Sequence, residues 1–554
     1  MPASILLLIS MAAFVAAYLV YGRRLELKYK IDANNKTPAH TKRDGVDYVP
    51  AKTPVLLGHH FASIAGAAPI IGPVTAAAFG WLPVLLWVVV GSIFLGGVHD
   101  FSALVASIRH GGRTMGEVIE ANLGLVGKRL FLIFAWSLVV LVMAVFSRSV
   151  AASFVKEPST ATASTLFMGA AVLFGVGVYI LRMPLGIGTI VGVCLVIGSI
   201  IIGLYWPLSI SETPWAISLS GWRLAVTYGA ADKWVIILLV YCLVASVTPV
   251  WILLQPRDYL CSFLLYAVIV LGLIGVFVAS PRIHSPAVGA FRIEGLGTLF
   301  PMLFVTVACG AISGFHSLVS AGTTAKQLDK ETHARPVAYG SMLIEGLLAV
   351  VALITAAMIS GEQYMVFMSK GGGGAITVFA NGLGSVLNSL GLPLRMGVTF
   401  AALAISAFAL TSLDTATRLG RFMFQEFFDR PGRSSVLARN RYIATVFTVG
   451  AAAFLAYSGT VQTLWQLFGS ANQLLASLTL LAVTIWLSGL GVKTAFIKIP
   501  MVFMFCVTLT ALVLLAIKAW HARSLLILSM ALLLLAVAAF LVFTALRVGS
   551  RVRR

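Results

Sequence analysis

Few residues in this 554-residue chain are equipped for chemistry, and those few sit in apolar surroundings. Glu345 interrupts the apolar stretch 337–361. His99 and Asp100 lie in Gly96-Gly-Val-His-Asp-Phe-Ser102, and His316 lies in Gly310-Ala-Ile-Ser-Gly-Phe-His-Ser-Leu-Val-Ser320. His59 and His60 begin the run Gly58-His-His-Phe-Ala-Ser-Ile-Ala-Gly-Ala-Ala-Pro-Ile-Ile-Gly-Pro73, and Asp414 sits in Leu413-Asp-Thr-Ala-Thr-Arg418. An imidazole titrates near neutrality and is a natural proton relay. A lone carboxylate in hydrocarbon either carries a proton or pairs with an arginine. These types point to coupling by a proton or another ion, at His59, His60, His99, Asp100, His316, Glu345 and Asp414. Plainer roles stand beside that one. His59, His60 and Asp100 would be solvated at an aqueous interface. His316 serves equally well as a hydrogen-bonded core histidine. Asp414 and Arg418, four residues apart, can pair along one helix face. His59, His60, His99 and Asp100 also have the types that bind zinc, but their spacing is not diagnostic, and no metal is expected.

Other chemistries lack their motifs. The cysteines (Cys194, Cys242, Cys261, Cys309 and Cys506) are scattered and form no C-x-x-C pair. There is no nucleophile–base motif and no G-x-x-x-x-G-K-S/T loop. Neither an enzyme nor an ATP-driven pump is expected, and no cofactor.

The surroundings of those residues are set by composition. Hydrophobic residues make up 59% of the chain and charged residues 10%, against about 25% charged in an average soluble domain. The apolar residues come in blocks of about 18–25, long enough to cross a hydrocarbon core at roughly 1.5 Å per residue. Backbone groups in lipid must be satisfied internally, so the blocks read as helices; a barrel would alternate in shorter segments. The formal charge is +20. Its Lys and Arg lie mainly in short loops, which fits membrane orientation and not nucleic-acid binding.

About fifteen spans are expected: 3–22, 56–78, 82–106, 130–155, 161–181, 185–206, 234–255, 261–282, 298–320, 337–361, 394–417, 441–459, 470–488, 500–518 and 524–546. With that number the Lys- and Arg-rich loops fall on one side, including those with Arg257, Arg418 and Arg421. The poorer loops 207–233, 283–297 and 362–393 fall on the other. The positive-inside rule then puts the N-terminus outside and the C-terminus in the cytoplasm. The first apolar stretch, 3–21, lacks a preceding basic region and reads as a retained span. The loop 207–233, with Trp215 and Trp222, is expected to form a lid or an interfacial helix, and Gly371–Gly374 a flexible loop.

Two spans carry helix breakers at mid-depth. One is the Gly58–Pro73 run, with Gly66, Pro69, Gly72 and Pro73. The other is Ala245-Ser-Val-Thr-Pro-Val-Trp-Ile-Leu-Leu-Gln-Pro256. A set of five spans starts at each, and five is odd, so the sets run in opposite senses. That is the arithmetic of a five-plus-five inverted repeat, a design in which discontinuous helices line a mid-membrane substrate site. The organisation expected is an N-terminal span and basic loop (1–53), a first repeat (54–206), a loop (207–233), a second repeat (234–417) and about four further helices (418–554). Freed amides near Ser63, Ala65 and Gly66, and groups near Ser246, Thr248 and His316, would bind substrate. Ser313, Ser317 and Ser320 share a helix face beside Thr323 and Thr324; they either hold a cation or let helices pack closely.

Several of these stretches resemble one family. Gly58–Pro73, Gly97-Val-His-Asp-Phe101, Arg109-His-Gly-Gly-Arg-Thr-Met-Gly116, Leu254-Gln-Pro-Arg-Asp-Tyr-Leu260, Ser313-Gly-Phe-His-Ser317 and Leu413-Asp-Thr-Ala-Thr-Arg-Leu-Gly-Arg421 are similar to the carbon starvation protein A (CstA) family. The resemblance implies a bacterial inner-membrane transporter with a LeuT-like core of the amino acid–polyamine–organocation superfamily. It implies uptake of peptides or of pyruvate, the latter with protons. The expectation is therefore a symporter for a small carboxylate, pyruvate foremost, driven by protons or sodium and surrounded by lipid. Short peptides are the alternative cargo, and a membrane nutrient sensor without net transport is a third reading. Oligomeric state is open.

Overall fold

Pro69 decides where the first broken span gives way. A proline ring withholds an N–H and clashes with the carbonyl four residues back, which weakens the ladder around residue 65. In the computed structural model, Thr53–Ile64 is followed by Ala65 at φ −77°, ψ 73°. The helix resumes at Ala68–Ala76 with Pro69 in its first turn. The two halves are bent by 49°. The structure describes residues 1–44, 48–213, 217–219, 222–224, 229–249, 252–369, 372–429, 435–458 and 461–552.

Among the described residues thirteen helices are long and apolar enough to cross a membrane, and the bent pair brings the number of spans to fourteen. In chain order the helices are α1 (Ala3–Tyr29), the bent pair α2 (Thr53–Ile64) and α3 (Ala68–Phe79), α4 (Trp81–Arg109), α5 (Met115–Lys156), α6 (Pro158–Ile180) and α7 (Leu185–Tyr205). There follow α8 (Ala230–Val247), α9 (Leu254–Ala279), α10 (Leu299–Thr306), α11 (Phe315–Val319), α12 (Glu331–Ala357), α13 (Gly361–Met368) and α14 (Gly374–Asn388). The last are α15 (Leu394–Phe428), α16 (Arg441–Ser458), α17 (Thr463–Gly489), α18 (Ala495–His521) and α19 (Leu525–Ala545). The chain is an all-α, multi-pass membrane protein. Its described strands are two short antiparallel pairs, Ile217–Leu219 with Trp222–Leu224 and Arg292–Ile293 with Gly297–Thr298.

The chain forms two compact units. One comprises Met1–Leu138, Arg282–Met358 and Gln462–Arg554; the other comprises Val139–Pro281 and Ile359–Val461. In the first, α12 is central: 89% of its apolar window is buried, and it packs on α1, α3 and α4. Arg109 at the end of α4 pairs with Glu331 at the start of α12, and Glu331 also accepts from the Asp32 amide (3.0 Å) and the Asn35 side chain (2.9 Å). In the second unit α15 holds the centre, against α6, α8, α9, α14 and α16.

The second break is not where the sequence pattern put it. The stretch 245–256 joins two complete spans, because α8 ends at Val247 and α9 begins at Leu254. A residue before proline is driven out of the helical region, and Thr248, before Pro249, is extended (φ −71°, ψ 143°). The break falls instead in the span expected at 298–320, where α10 stops at Thr306 and α11 starts at Phe315. Two further expectations change. The loop 362–393 contains α13 and α14, and α14 buries a face that includes Ile376, Phe379 and Leu383. The described part of 207–233 carries the first strand pair and not an interfacial helix; Trp215 and Gly371 lie outside the described residues.

The two breaks pack against each other within the first unit. A methyl group built on Gly72 would stand 2.7 Å from the Thr306 carbonyl oxygen, so the backbones meet where only glycine fits. Gly72→Ala is expected to cost about 1–3 kcal/mol, the usual range for overpacking. A lowered thermal midpoint of the purified protein would register it, and an unchanged midpoint would contradict the packing.

Candidate functional site

Three helices of the first unit place a histidine between two carboxylates. α4 carries Asp100, α11 carries His316 in its first turn, and α12 carries Glu345. His316 Nδ1 lies 2.8 Å from Asp100 Oδ2, and His316 Nε2 lies 3.3 Å from Glu345 Oε2. His99 sets its own Nδ1 2.7 Å from Asp100 Oδ1. All four side chains are fully buried. His60, on α2, is buried too; its Nδ1 lies 2.8 Å from Thr324 Oγ1, and its Nε2 has no partner among the described residues.

Donor–acceptor counting locates a proton here. An ionised carboxylate only accepts, so an ionised Asp100 requires N–H at Nδ1 of both His99 and His316. The remaining nitrogen of His316 faces Glu345. A proton must then lie between Nε2 and Oε2, on the ring or on the acid, or a lone pair would face a carboxylate. Among the described residues of this unit no Lys or Arg is buried. The imidazolium, or a proton on an acid, is what offsets two carboxylates in a medium that penalises unpaired charge. The Nε2–Oε2 approach is within ion-pair range but not aligned as a hydrogen bond.

His316 stands there because of the unwound segment 307–314 before it. Backbone groups in a membrane interior need protein partners when the helix ladder fails. Trp465 Nε1 donates to Thr306 O (3.3 Å), Trp87 Nε1 to Val307 O (3.0 Å), Ser92 Oγ to Gly310 O (2.9 Å) and Gln473 Nε2 to Phe304 O (2.7 Å). Asn472 of α17 accepts from the Phe315 amide at Oδ1 (2.9 Å) and from the Gly314 amide at its own carbonyl (3.0 Å). Its Nδ2 donates to Ser313 Oγ (3.0 Å). A methyl group on Gly314 would lie 2.3 Å from that Asn472 carbonyl. At the other break the Ala67 and Ala68 amides start α3; both residues are buried, and neither amide donates to a described residue.

The remaining candidates scatter. Ala65 is at the first break with Gly66 beside it, and Ser63 Oγ donates to the His59 carbonyl (2.8 Å). Ser317 Oγ donates to Gly314 O (2.7 Å) and accepts from Thr479 (3.1 Å). Ser320 is buried, with no partner for its hydroxyl among the described residues. Ser313 lies in the unwound segment and so is off the face expected to hold it with Ser317 and Ser320. Among the described residues no three His, Cys, Asp or Glu side chains converge on a metal position. Nor are His60 and Asp100 at a solvated interface, since each is fully buried.

The second unit corrects three assignments. Asp414 pairs with Arg257, not with Arg418, and accepts from Tyr241 (2.7 Å). Arg257, expected in a solvated loop, is fully buried. Arg418 and Arg421 belong to α15, which runs past its expected end, and they donate to the Ala245, Ser246 and Thr248 carbonyls that close α8. Those carbonyls are therefore occupied by arginine, the usual cation at a helix C-terminus. Ser246 Oγ lies 3.2 Å from Thr445, and Thr248 Oγ1 donates to Val244 O. Asn472, Gln473 and Trp465 escaped the sequence reading. The signal for Asn472 and Gln473 was the polar run Gln466, Ser470, Asn472 and Gln473 within an apolar span.

Comparison with known proteins agrees with this architecture. Over 91% of this chain and 98% of the other, the fold superposes on a mutant of the Eremococcus coleocola manganese transporter with a TM-score of 0.52 at 11% identity. The "Peptide transporter CstA" of Campylobacter jejuni is 32% identical over 91% of this chain and 79% of that protein. The peptide transporter of the same name from Bacillus subtilis is 33% identical over 87% and 84%. The "Pyruvate/proton symporter BtsT" of Escherichia coli is 32% identical over 86% and 76%. Residues 2–372 and 368–511 match the family described as carbon starvation protein CstA, and the chain belongs to that family.

Proposed function

We propose that this protein is a proton-coupled symporter that imports a small carboxylate, pyruvate, across the bacterial inner membrane. The observation that carries the reading is the buried Asp100–His316–Glu345 group, whose histidine stands two residues beyond an unwound segment that packs on a second break. Substrate and proton would thus act on one piece of backbone. The Ala67 and Ala68 amides, which find no acceptor among the described residues, suit a carboxylate beside Ala65 and Gly66, since freed helix N-termini attract anions. His316 and Glu345 hold the proton, and Asp100 with His99 fixes the ring. With the broken stretch from α10 to α11 as a fifteenth span beside the fourteen of the fold, the charge of the loops puts the N-terminus outside and the C-terminus in the cytoplasm.

The test is uptake of labelled pyruvate into proteoliposomes. An inward proton gradient is expected to drive accumulation above the external concentration, and collapsing the gradient should stop it. No accumulation under the gradient would refute the reading. The names of the Campylobacter and Bacillus relatives favour a second cargo, short peptides. If peptides are the cargo, di- and tripeptides will accumulate under the same gradient and displace pyruvate.

A further inference from the structure

We infer that Asn472, from a helix outside the expected repeat core, is the positioning residue that couples the unwound segment to the proton on His316. This rests on the proton-coupled reading above. Over 307–314 the chain has no continuous helical ladder, and α11 starts only at Phe315. The first N–H groups of a helix have no intrahelical partner. Here Asn472 supplies acceptors to two amides in succession, its carbonyl to Gly314 and its Oδ1 to Phe315. The amide nitrogen of the same side chain reaches back to Ser313 Oγ (3.0 Å) and Cys309 Sγ (3.3 Å). One side chain therefore grips the segment on both sides of Gly314.

His316 is the next residue after the second gripped amide. Its ring must satisfy Asp100 at one nitrogen and meet Glu345 at the other, and the second approach is already unaligned. A small shift of the Phe315 backbone would separate Nε2 from Glu345 while leaving the rest of the fold in place. Asn472 is fully buried and touches neither the proton nor the carboxylates. Its role is to hold the backbone that carries them. Gln473 and Trp465 act on carbonyls at the far end of the break, at Phe304 and Thr306, so Asn472 is the member of this polar run closest in sequence contact to His316.

The experiment compares two transport modes of the full-length protein in proteoliposomes. Asn472→Ala should cut accumulation driven by a pH gradient tenfold or more. Exchange of internal for external labelled pyruvate, which needs no net proton movement, should fall less than threefold. Loss of both modes in proportion would make Asn472 merely structural and overturn the inference, as would unchanged accumulation. If Asn472→Ala does not fold, Ser313→Ala removes one half of the grip; it should lower the ratio of accumulation to exchange at least threefold, and an unchanged ratio overturns the inference. Hydrogen exchange of the peptide covering 307–318 separates this from the underlying function. Faster exchange in Asn472→Ala supports the grip even if the wild-type protein proves not to use protons; unaltered exchange removes it whatever the cargo.

Discussion

Glu345→Gln is expected to lower accumulation driven by a pH gradient by roughly 10²-fold or more, the scale on which a positioned proton-transfer group acts. Glutamine keeps the shape and the hydrogen-bonding capacity but cannot exchange a proton. Its NH2 group can donate to a neutral Nε2, so the variant mimics the protonated site permanently. Folding should be spared, because a buried carboxylate without a hydrogen bond is replaced by a neutral group of the same size. Exchange of labelled substrate across the membrane should persist, and its rate should no longer respond to pH. His316→Gln should remove the same coupling, with greater damage to the fold, since Asp100 would keep only His99 as partner. The decisive comparison is the ratio of gradient-driven accumulation to exchange in wild type and Glu345→Gln. An unchanged ratio would put the proton elsewhere.

The parts of this site differ in how far they could be read from residues alone. Glu345 and His316 stood out because an ionisable group in an apolar run has few benign explanations. The first break was legible because Pro69 acts on its own backbone, a local effect. The second was misplaced for a physical reason. Pro249 ended a helix at a span boundary, which resembles a break in sequence. The true break at 307–314 contains no proline. It exists because Asn472, Trp87, Ser92 and Trp465 replace the lost ladder, and those partners are far away in the chain. Asp100 and His316 are 216 residues apart, and no periodicity reports such a meeting. The spans followed composition closely, while α14 escaped because its fifteen residues are too few to cross a membrane.

Asp414→Ala is expected to destabilise the second unit by about 3–5 kcal/mol, the range for removing one partner of a buried ion pair. Arg257 and Asp414 are both fully buried, so neither can turn to water. The pair is also well connected. Arg257 donates to Tyr241 (2.9 Å), to Leu410 O (3.3 Å) and to Asp258 (3.0 Å), and Tyr241 donates to Asp414 (2.7 Å). Removing Asp414 leaves Arg257 with only the peripheral Asp258 as counter-charge and leaves the tyrosine hydroxyl without its acceptor. The thermal midpoint and the yield of folded protein should both drop. Replacing the two together, Asp414→Leu with Arg257→Met, should recover most of the loss, because apolar groups of similar volume need no counter-charge. This pair of measurements also separates structure from coupling. Asp414 was a candidate proton carrier on residue type, and its direct pairing with Arg257 favours a structural role for it. The double replacement is therefore expected to retain gradient-driven accumulation within threefold of wild type. A folded double variant that exchanges substrate but cannot accumulate it would return Asp414 to the proton path.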